Sequence, residues 1–272
     1  MVDTVLTTGA NSGIGLACVL EVARKGYRSV GSVRSAEKAE IVHKAAAEAG
    51  VEVATVLLDV TDATRCRTAL EEVGPLYGLV NNAGYGVTGA VEDVDDEEAR
   101  AVLETMVLAP MRLARLALPA MRDAGRGRIV NVSSIMGRTT TPFTGWYGAS
   151  KHALEAVTDA LRIEVASAGI KVVLVEPGGF KTGIWEELER DIAKRDGSRF
   201  DSAYRRSQQL MKLAEPVMGN PDQVAKLITN VLSSRSPRAR YLVGIDANLI
   251  ALTDRFTPTM LKDRATRFGL GI

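Results

Sequence analysis

A tyrosine and a lysine four residues apart are the strongest candidates for chemistry in this sequence. Tyr147 and Lys151 lie in the segment YGASK, inside a run whose periodicity predicts a helix. Residues at positions i and i+4 share one helix face, so the phenol and the ammonium can point into one cleft. A nearby ammonium favours the phenolate, which makes tyrosine a usable proton-transfer group near neutral pH. Taken alone, such a pair is also common on solvated helix faces.

A serine and a glycine-rich segment add to this pair. Ser134 ends the segment IVNVSS, thirteen residues before Tyr147. The segment TGANSGIG, Thr8 to Gly15, stands between a predicted strand and a predicted helix. Glycines let the backbone turn tightly and approach a pyrophosphate, which the amides of a helix N-terminus attract. A plain strand-to-helix turn is the alternative.

The segments that carry these motifs alternate between strand and helix patterns. Strands are predicted in VDTVLTT, YRSVGSV, VEVATVLL, YGLVNN, GRIVNVSS, IKVVLVEP and ARYLVG, and helices at about 13–25, 36–49, 95–123, 146–167 and 221–233. This alternation is typical of βαβ units on a parallel sheet. Residues 183–220 are rich in charge and lack strand periodicity, so we expect an inserted helical segment there. Residues 246–272 give no clear pattern.

Bulk composition limits the classes of function. A chain of 272 residues can form one large domain, and a net charge of +1 disfavours nucleic-acid binding, which needs a basic surface. The two cysteines, Cys18 and Cys66, fit neither a disulfide framework nor a metal site. No segment approaches the roughly 18 apolar residues of a membrane span. We therefore expect no metal, no membrane span, a small-molecule partner and a cytoplasmic location.

Taken together, the motifs resemble the short-chain dehydrogenase/reductase family. The resemblance rests on the G-x-x-x-G-x-G spacing, on NNAG at 81–84, on Ser134 with Tyr147 and Lys151, and on PGGFKT at 177–182. It implies an α/β Rossmann-type fold, a doubly wound parallel sheet of about seven strands with helices on both faces. It also implies one domain over residues 1–272, whose insertion at 183–220 covers the substrate. The cofactor arrangement and the sequence ending look most similar to the hydroxysteroid and retinol dehydrogenase branch.

The resemblance also implies a set of nicotinamide-cofactor contacts. These are Gly9, Asn11, Ser12, Gly13, Ile14, Gly15, Arg34, Asp59, Val60, Asn82, Ala83, Gly84, Tyr147, Lys151, Pro177, Gly178 and Thr182. Val33 stands where NAD users place an acid, and Arg34 follows it, which favours NADP over NAD. Arg34 could instead be an ordinary surface arginine. Without the family pattern, Asp59 reads as a turn former or helix cap.

In this family the serine, tyrosine and lysine form the catalytic set. The resemblance implies that Tyr147 exchanges a proton with the substrate oxygen, that Lys151 lowers the tyrosine pKa and holds the ribose, and that Ser134 orients the substrate. These roles predict an NADP-dependent carbonyl reductase or alcohol dehydrogenase. Trp185 could line the apolar substrate pocket, or it could belong to the buried stripe of a helix. Family members pair their long helices between subunits, so we expect a homodimer or homotetramer.

One position departs from the family pattern. Met106 stands where these enzymes carry an asparagine thought to fix a water that links the lysine to solvent. A thioether is only a weak hydrogen-bond acceptor, so proton relay should be impaired. Two alternatives to a reductase follow, a nucleotide-binding regulator without turnover and an epimerase or dehydratase of the same fold. Methionine at helical spacing is usually core filler, and we assign Met106 no chemical role.

Overall fold

Seven parallel strands form the single sheet of this computed structural model, which describes residues 2–180, 184–214 and 218–272. The strands are β1 (Thr4–Thr8), β2 (Arg28–Val33), β3 (Ala54–Leu57), β4 (Gly78–Asn81), β5 (Gly127–Val132), β6 (Ile170–Pro177) and β7 (Arg240–Val243). Their order across the sheet is β3-β2-β1-β4-β5-β6-β7. The predicted doubly wound Rossmann-type sheet is confirmed.

Helices follow the strands along the described chain. They are α1 (Gly13–Arg24), α2 (Ala36–Glu48), α3 (Ala63–Val73), α4 (Asp96–Leu103), α5 (Ala109–Asp123), α6 (Gly145–Glu164), α7 (Ile184–Ala193), α8 (Asp201–Ala214), α9 (Pro221–Ser233), α10 (Ile245–Phe256) and α11 (Thr259–Leu270). Helix α3 and the last two helices were not predicted from the sequence. None of the described helices is long and apolar enough to cross a membrane.

Alternating residues of the central strands pack against two different helix layers. Leu6, with its neighbours on one face of the sheet, packs against α3 and α5. Val5, on the other face, shares a cluster with Cys18 of α1 and Ile228 of α9. Because successive strand residues point to opposite faces, each central strand is covered on both sides. This burial explains the continuous apolar character of the strand sequences.

The helix predicted at 95–123 is not one continuous α-helix. A π-helical turn at Glu104–Leu108 separates α4 from α5, and the amide of Ala109 donates to the carbonyl of Glu104. Pro110 has no amide hydrogen, and its ring crowds the carbonyl four residues earlier, which accompanies the departure from regular α-helical geometry just before it. The long helical stretch predicted here is present, but its π-helical turn was not predicted.

Helix α10 presents an apolar stripe to solvent in this chain. Its members are Ile245, Leu249, Leu252 and Phe256, which are between 59% and 89% exposed. Their spacing of four, three and four residues places them on one helix face. The opposite face carries the fully buried Ala247 and the half-buried Asp246, which contact the rest of the chain.

Candidate active site

The candidate site lies where the carboxyl ends of the central strands meet. Strand β1 pairs with β2 on one side and with β4 on the other, so the direction of chain progression reverses between β1 and β4. Ligands of open α/β sheets bind in the crevice at such a switch point. The glycine-rich turn follows β1 and the NNAG motif follows β4, so this crevice contains two of the predicted motifs.

The glycine-rich turn needs glycine for two different reasons. Gly9 has φ +68° and Gly13 has φ +51°, a region that residues with a Cβ rarely adopt. Gly15 is needed for space, because a Cβ there would lie 2.1 Å from the carbonyl oxygen of Gly9. The backbone of α1 thus begins directly against the turn.

The first turn of α1 has no side-chain cap. Ser12 is the N-cap residue, but its side chain makes no cap hydrogen bond, and the turn carries no acidic residue. By contrast, Asp62 caps α3 and Asp95 caps α4 with their carboxylates. Uncapped N-terminal amides attract an anion. Asn11 and Ile14 are half-buried and Ser12 is exposed, so all three border this open end.

Asn82 connects the two motifs. Its side-chain amide donates to the carbonyl of Thr8 at 2.9 Å and to that of Gly9 at 3.3 Å. The backbone amides of Asn82 and Ala83 both donate to the Thr8 hydroxyl, at 3.0 and 2.9 Å. These bonds hold the turn after β1 against the end of β4. Gly84 continues the motif beside Met106, whose side chain would lie 3.6 Å from a Cβ at that glycine.

Arg34 and Asp59 lie at neighbouring strand ends. Arg34 is exposed directly after β2, and Asp59 is exposed after β3, the strand paired with β2. The Asp59 carboxylate accepts from the amide and hydroxyl of Thr61, at 2.9 and 2.7 Å. Partial burial acts to raise the pKa of Asp59, but these hydrogen bonds and the charge of Arg34 hold it below its usual value. Val60 is buried, and its carbonyl accepts from Arg112 at 2.9 Å.

Lys151 is a buried lysine on α6. Its ammonium donates to the carbonyl of Val132, at the end of β5, at 3.0 Å. It also lies 5.6 Å from the ring centre of Tyr147, which is half-buried one helical turn earlier. Burial lowers the pKa of Lys151 to about 8, against the opposing effect of the Glu155 charge. The predicted i, i+4 pair therefore points into one region.

Ser134 lies on a short turn that contacts the same helix. It is buried two residues after Val132 and begins the 3₁₀ turn Ile135–Gly137, accepting from the amide of Met136 at 3.1 Å. The Met136 carbonyl would lie 3.7 Å from a Cβ at Gly148, next to Tyr147. The elements that carry Ser134, Tyr147 and Lys151 are thus in direct contact.

Met106 lies in the π-helical turn and is 1% exposed. It packs in an apolar cluster with Val102, beside Trp146 and Tyr147. Ser150, the residue before Lys151, donates its hydroxyl to the Met106 sulfur at 3.5 Å. The thioether therefore occupies packed space next to α6 and brings no charge to it.

A buried polar chain behind the site was missed from sequence. Asn81 donates to Asn131 at 2.8 Å, and the Asn131 amide donates to the Thr158 hydroxyl at 2.8 Å. These bonds connect β4, β5 and α6, the elements that hold the candidate catalytic residues. The asparagine inside the apolar segment GRIVNV was the available signal, because a buried amide requires partners.

The loop after β6 is held by a residue that sequence reasoning also missed. Pro177 ends β6, Gly178 donates to Val243 at 2.9 Å, and the Gly179 amide donates to the Asp246 carboxylate at 2.6 Å. Asp246 lies in the first turn of α10. Of the other residues expected here, Thr182 and the side chain of Trp185 lie outside the described residues, whereas the Trp185 backbone belongs to α7.

An ionic cluster lies on the far side of Lys151, and it too was missed. Arg240 of β7 donates to Glu155 of α6 at 3.0 Å and forms an ion pair with Asp159. Arg240 also lies 3.4 Å from Glu176, a fully buried carboxylate whose other partner is Arg138. Within the described ranges, no group of three or more potential metal-binding side chains is present.

Comparisons with known proteins agree with this architecture. Residues 3–193 match the family described as short chain dehydrogenase. The probable short-chain type dehydrogenase/reductase VdlC of Helicobacter pylori is 32% identical over 264 residues, covering 96% of this chain and 95% of that protein. Human retinol dehydrogenase 5 is 32% identical over 283 residues, covering 95% and 86%. A variant of actinorhodin polyketide ketoreductase with NADPH has a TM-score of 0.78 at 28% identity, covering 91% and 97%.

The sheet, the switch-point crevice and these matches define a Rossmann-fold oxidoreductase. The chain belongs to the short-chain dehydrogenase/reductase family, as its motifs predicted. Retinol dehydrogenases are among its relatives, which confirms the predicted branch.

Proposed function

We propose that this protein is an NADP(H)-dependent oxidoreductase that interconverts a ketone or aldehyde with the corresponding alcohol. The observation that carries the proposal is the pairing of a buried lysine with a half-buried tyrosine beside a strand end, 5.6 Å from ammonium to ring centre. A surface pair without function would leave the ammonium in water. Burying it costs free energy, which indicates a site adapted to that charge.

The residues around α1 fit a dinucleotide. The uncapped first turn offers amides for the pyrophosphate, and Gly9, Gly13 and Gly15 allow the tight turn that places this helix end against β1. In this proposal, the remaining cofactor contacts come from Asn82, Ala83, Gly84, Pro177, Gly178 and Thr182. Arg34 is positioned to meet a ribose 2′-phosphate at the end of β2, and Val33 offers no carboxylate to a 2′-hydroxyl. This arrangement favours NADP over NAD.

The chemistry divides between the cofactor and the protein. The bound nicotinamide supplies or accepts the hydride. During reduction, Tyr147 donates its phenolic proton to the substrate oxygen, and during oxidation its phenolate takes that proton back. Lys151 stabilises the phenolate through its charge and holds the nicotinamide ribose. Ser134 donates a hydrogen bond that fixes the substrate oxygen beside the Tyr147 hydroxyl.

The substrate is a medium-sized, mainly apolar carbonyl compound or alcohol. The segment 183–220, which contains α7 and α8, covers the substrate in this proposal, with Trp185 among its contacts. Support comes from relatives whose names include retinol dehydrogenase 5 and 3-ketodihydrosphingosine reductase, both named for oxygen-bearing lipid-like molecules. The proposed assembly is a homodimer or homotetramer formed through α5 and α6.

Met106 favours a second candidate, a cofactor-binding regulator that turns over slowly or not at all. The buried thioether next to Ser150 brings neither charge nor a strong acceptor to the lysine. The proposed oxidoreductase consumes NADPH in net amount. Neither a regulator nor an epimerase does.

The first test measures loss of reduced-nicotinamide absorbance with NADPH against a panel of ketones, aldehydes and steroids. We expect turnover with at least one apolar ketone or aldehyde, and a loss of roughly a hundredfold or more in kcat for Tyr147→Phe, because general acid catalysis contributes about that much. Tyr241→Phe, a tyrosine on β7, is the matched control and should keep native activity.

The third variant in this test is Met106→Asn. A higher kcat than native would show what the thioether costs the reaction. NADPH binding without consumption by native protein and Met106→Asn alike would favour the regulator, and equal rates for native protein and Tyr147→Phe would refute the catalytic role of the tyrosine.

A further inference from the structure

The charge state of Lys151 depends on its surroundings, because burial alone disfavours a charged ammonium. Its hydrogen-bond acceptor, the Val132 carbonyl, is neutral, and the neighbouring Met106 adds no charge. Within the described chain, Glu155 is the group whose charge acts to raise the pKa of Lys151. Glu155 lies four residues after Lys151, so the two side chains share one face of α6.

Glu155 is itself paired with an arginine from another element. Its side chain is 10% exposed, and Arg240 donates to it at 3.0 Å from β7. Burial and the charge of Glu176 raise the pKa of Glu155, whereas the hydrogen bond from Arg240 and the charge of Arg240 act against this rise. Glu176 is in turn paired with Arg138, which limits its effect on Glu155.

We propose that Glu155 is a positioning residue that keeps the Lys151 ammonium charged, and that Arg240 anchors the Glu155 carboxylate for this purpose. The inference rests on the proposed function only for the role of Lys151. A cation is required there because it stabilises the Tyr147 phenolate and binds the ribose hydroxyls. Because the Val132 carbonyl that accepts from the lysine is uncharged, the charge that favours the ammonium comes from Glu155 in the same helix.

The neighbouring Asp159 offers a matched control. It lies one turn further along α6 and also pairs with Arg240. Its second cation is Arg162, and it is farther along the helix from Lys151 than Glu155 is. Removing either carboxylate disturbs Arg240, but only the loss of Glu155 removes the charge that acts on Lys151. The two substitutions therefore separate an electrostatic role from a structural one.

The test measures the pKa of Lys151 directly, by NMR titration of protein carrying isotope-labelled lysine, with Lys151→Met to assign the signal. We expect Glu155→Gln to lower the Lys151 titration midpoint by up to about one pH unit, the lower end of the effect of an opposite charge at about 4–6 Å. Asp159→Asn should leave the midpoint at its native value. No substrate is needed, so the result stands apart from success or failure in finding turnover.

Two outcomes would overturn the proposal. One is a Lys151 midpoint that stays the same or rises in Glu155→Gln, and the other is an equal fall in Asp159→Asn. If Glu155→Gln does not fold, Glu155→Asp replaces it, since it holds the carboxylate one methylene farther from the ammonium. A smaller fall in the midpoint is then expected, and no fall would again overturn the proposal.

Discussion

Arg34 has a position suited to choosing between two cofactors that differ by one phosphate. It is exposed after β2, next to a strand end whose Asp59 carboxylate is already engaged by Thr61. A guanidinium can bind a phosphate through paired charge-assisted hydrogen bonds, each worth about 1.5–3 kcal/mol. The same side chain gains little from an uncharged ribose hydroxyl.

We therefore expect Arg34→Ala to raise KM for NADPH by roughly tenfold to a hundredfold, a range that follows from those hydrogen-bond energies. KM for NADH should change less than about threefold. Initial rates with both cofactors check this, and Arg24→Ala, an exposed arginine on α1, is the control. An equal loss with NADPH and NADH would contradict selection by Arg34.

Spacing along one helix was enough to predict the pairing of Tyr147 with Lys151, because i and i+4 neighbours are fixed by helix geometry. The partners of Glu155, Asn131 and Gly179 could not be predicted in that way. Each comes from a segment remote in sequence, and only the strand order brings it close. Reasoning from the single sequence therefore found the candidate site residues and missed the side chains from remote segments that support them.

Among the elements, α10 has an unexpected connection to the crevice. Asp246 in its first turn accepts from the amide of Gly179, at 2.6 Å, in the loop proposed to border the nicotinamide. Further along the same helix, Asp254 pairs instead with Lys262 and Thr139. Two aspartates on one helix thus serve different regions.

Replacement of Asp246 by alanine leaves the Gly179 amide without its acceptor. We expect NADPH affinity to fall by roughly threefold to tenfold, as loss of about one hydrogen bond predicts. Hydrogen exchange at the Gly179 amide should also accelerate. Asp254→Ala should change neither quantity. If cofactor affinity and amide exchange are both native in Asp246→Ala, the helix does not support the loop.

Strand and helix alternation predicted most of this architecture, since buried parallel strands read as short apolar runs. It did not predict the π-helical turn inside the long helical stretch. It also missed α10, although the apolar residues of that helix have helical spacing, and their exposure on one face could not be read from the sequence.

At the scale of the whole molecule, a shallow groove runs between α5 and α6. It is lined by Met111, Ala114, Arg115, Leu118, Val157, Ala160, Leu161 and Glu164, and encloses about 290 Å³. Small and apolar residues along two long helices allow close approach of a second helix pair. This surface is therefore where we expect subunits to meet.

Ala160 is exposed on this surface, and an arginine there would block close helix packing. We expect light scattering to give a dimer or tetramer for native protein and a smaller species for Ala160→Arg. Ala47→Arg, at an exposed position of α2, should retain the native mass. If the native protein is a monomer, the proposed subunit contact does not exist. If Ala160→Arg keeps the native mass, the contact lies elsewhere.

The packing of α1 against α9 has a consequence for synthesis of the chain. Cys18 and Val22 of the first helix are covered by Ile228 and Val231, which are among the later residues to leave the ribosome. Until then, the apolar side of α1 lacks the part of its native cover that α9 provides, and the sheet lacks β7. Contacts so distant in sequence slow folding and expose aggregation-prone surface. The first helix can therefore complete its native packing only after α9 has been synthesised.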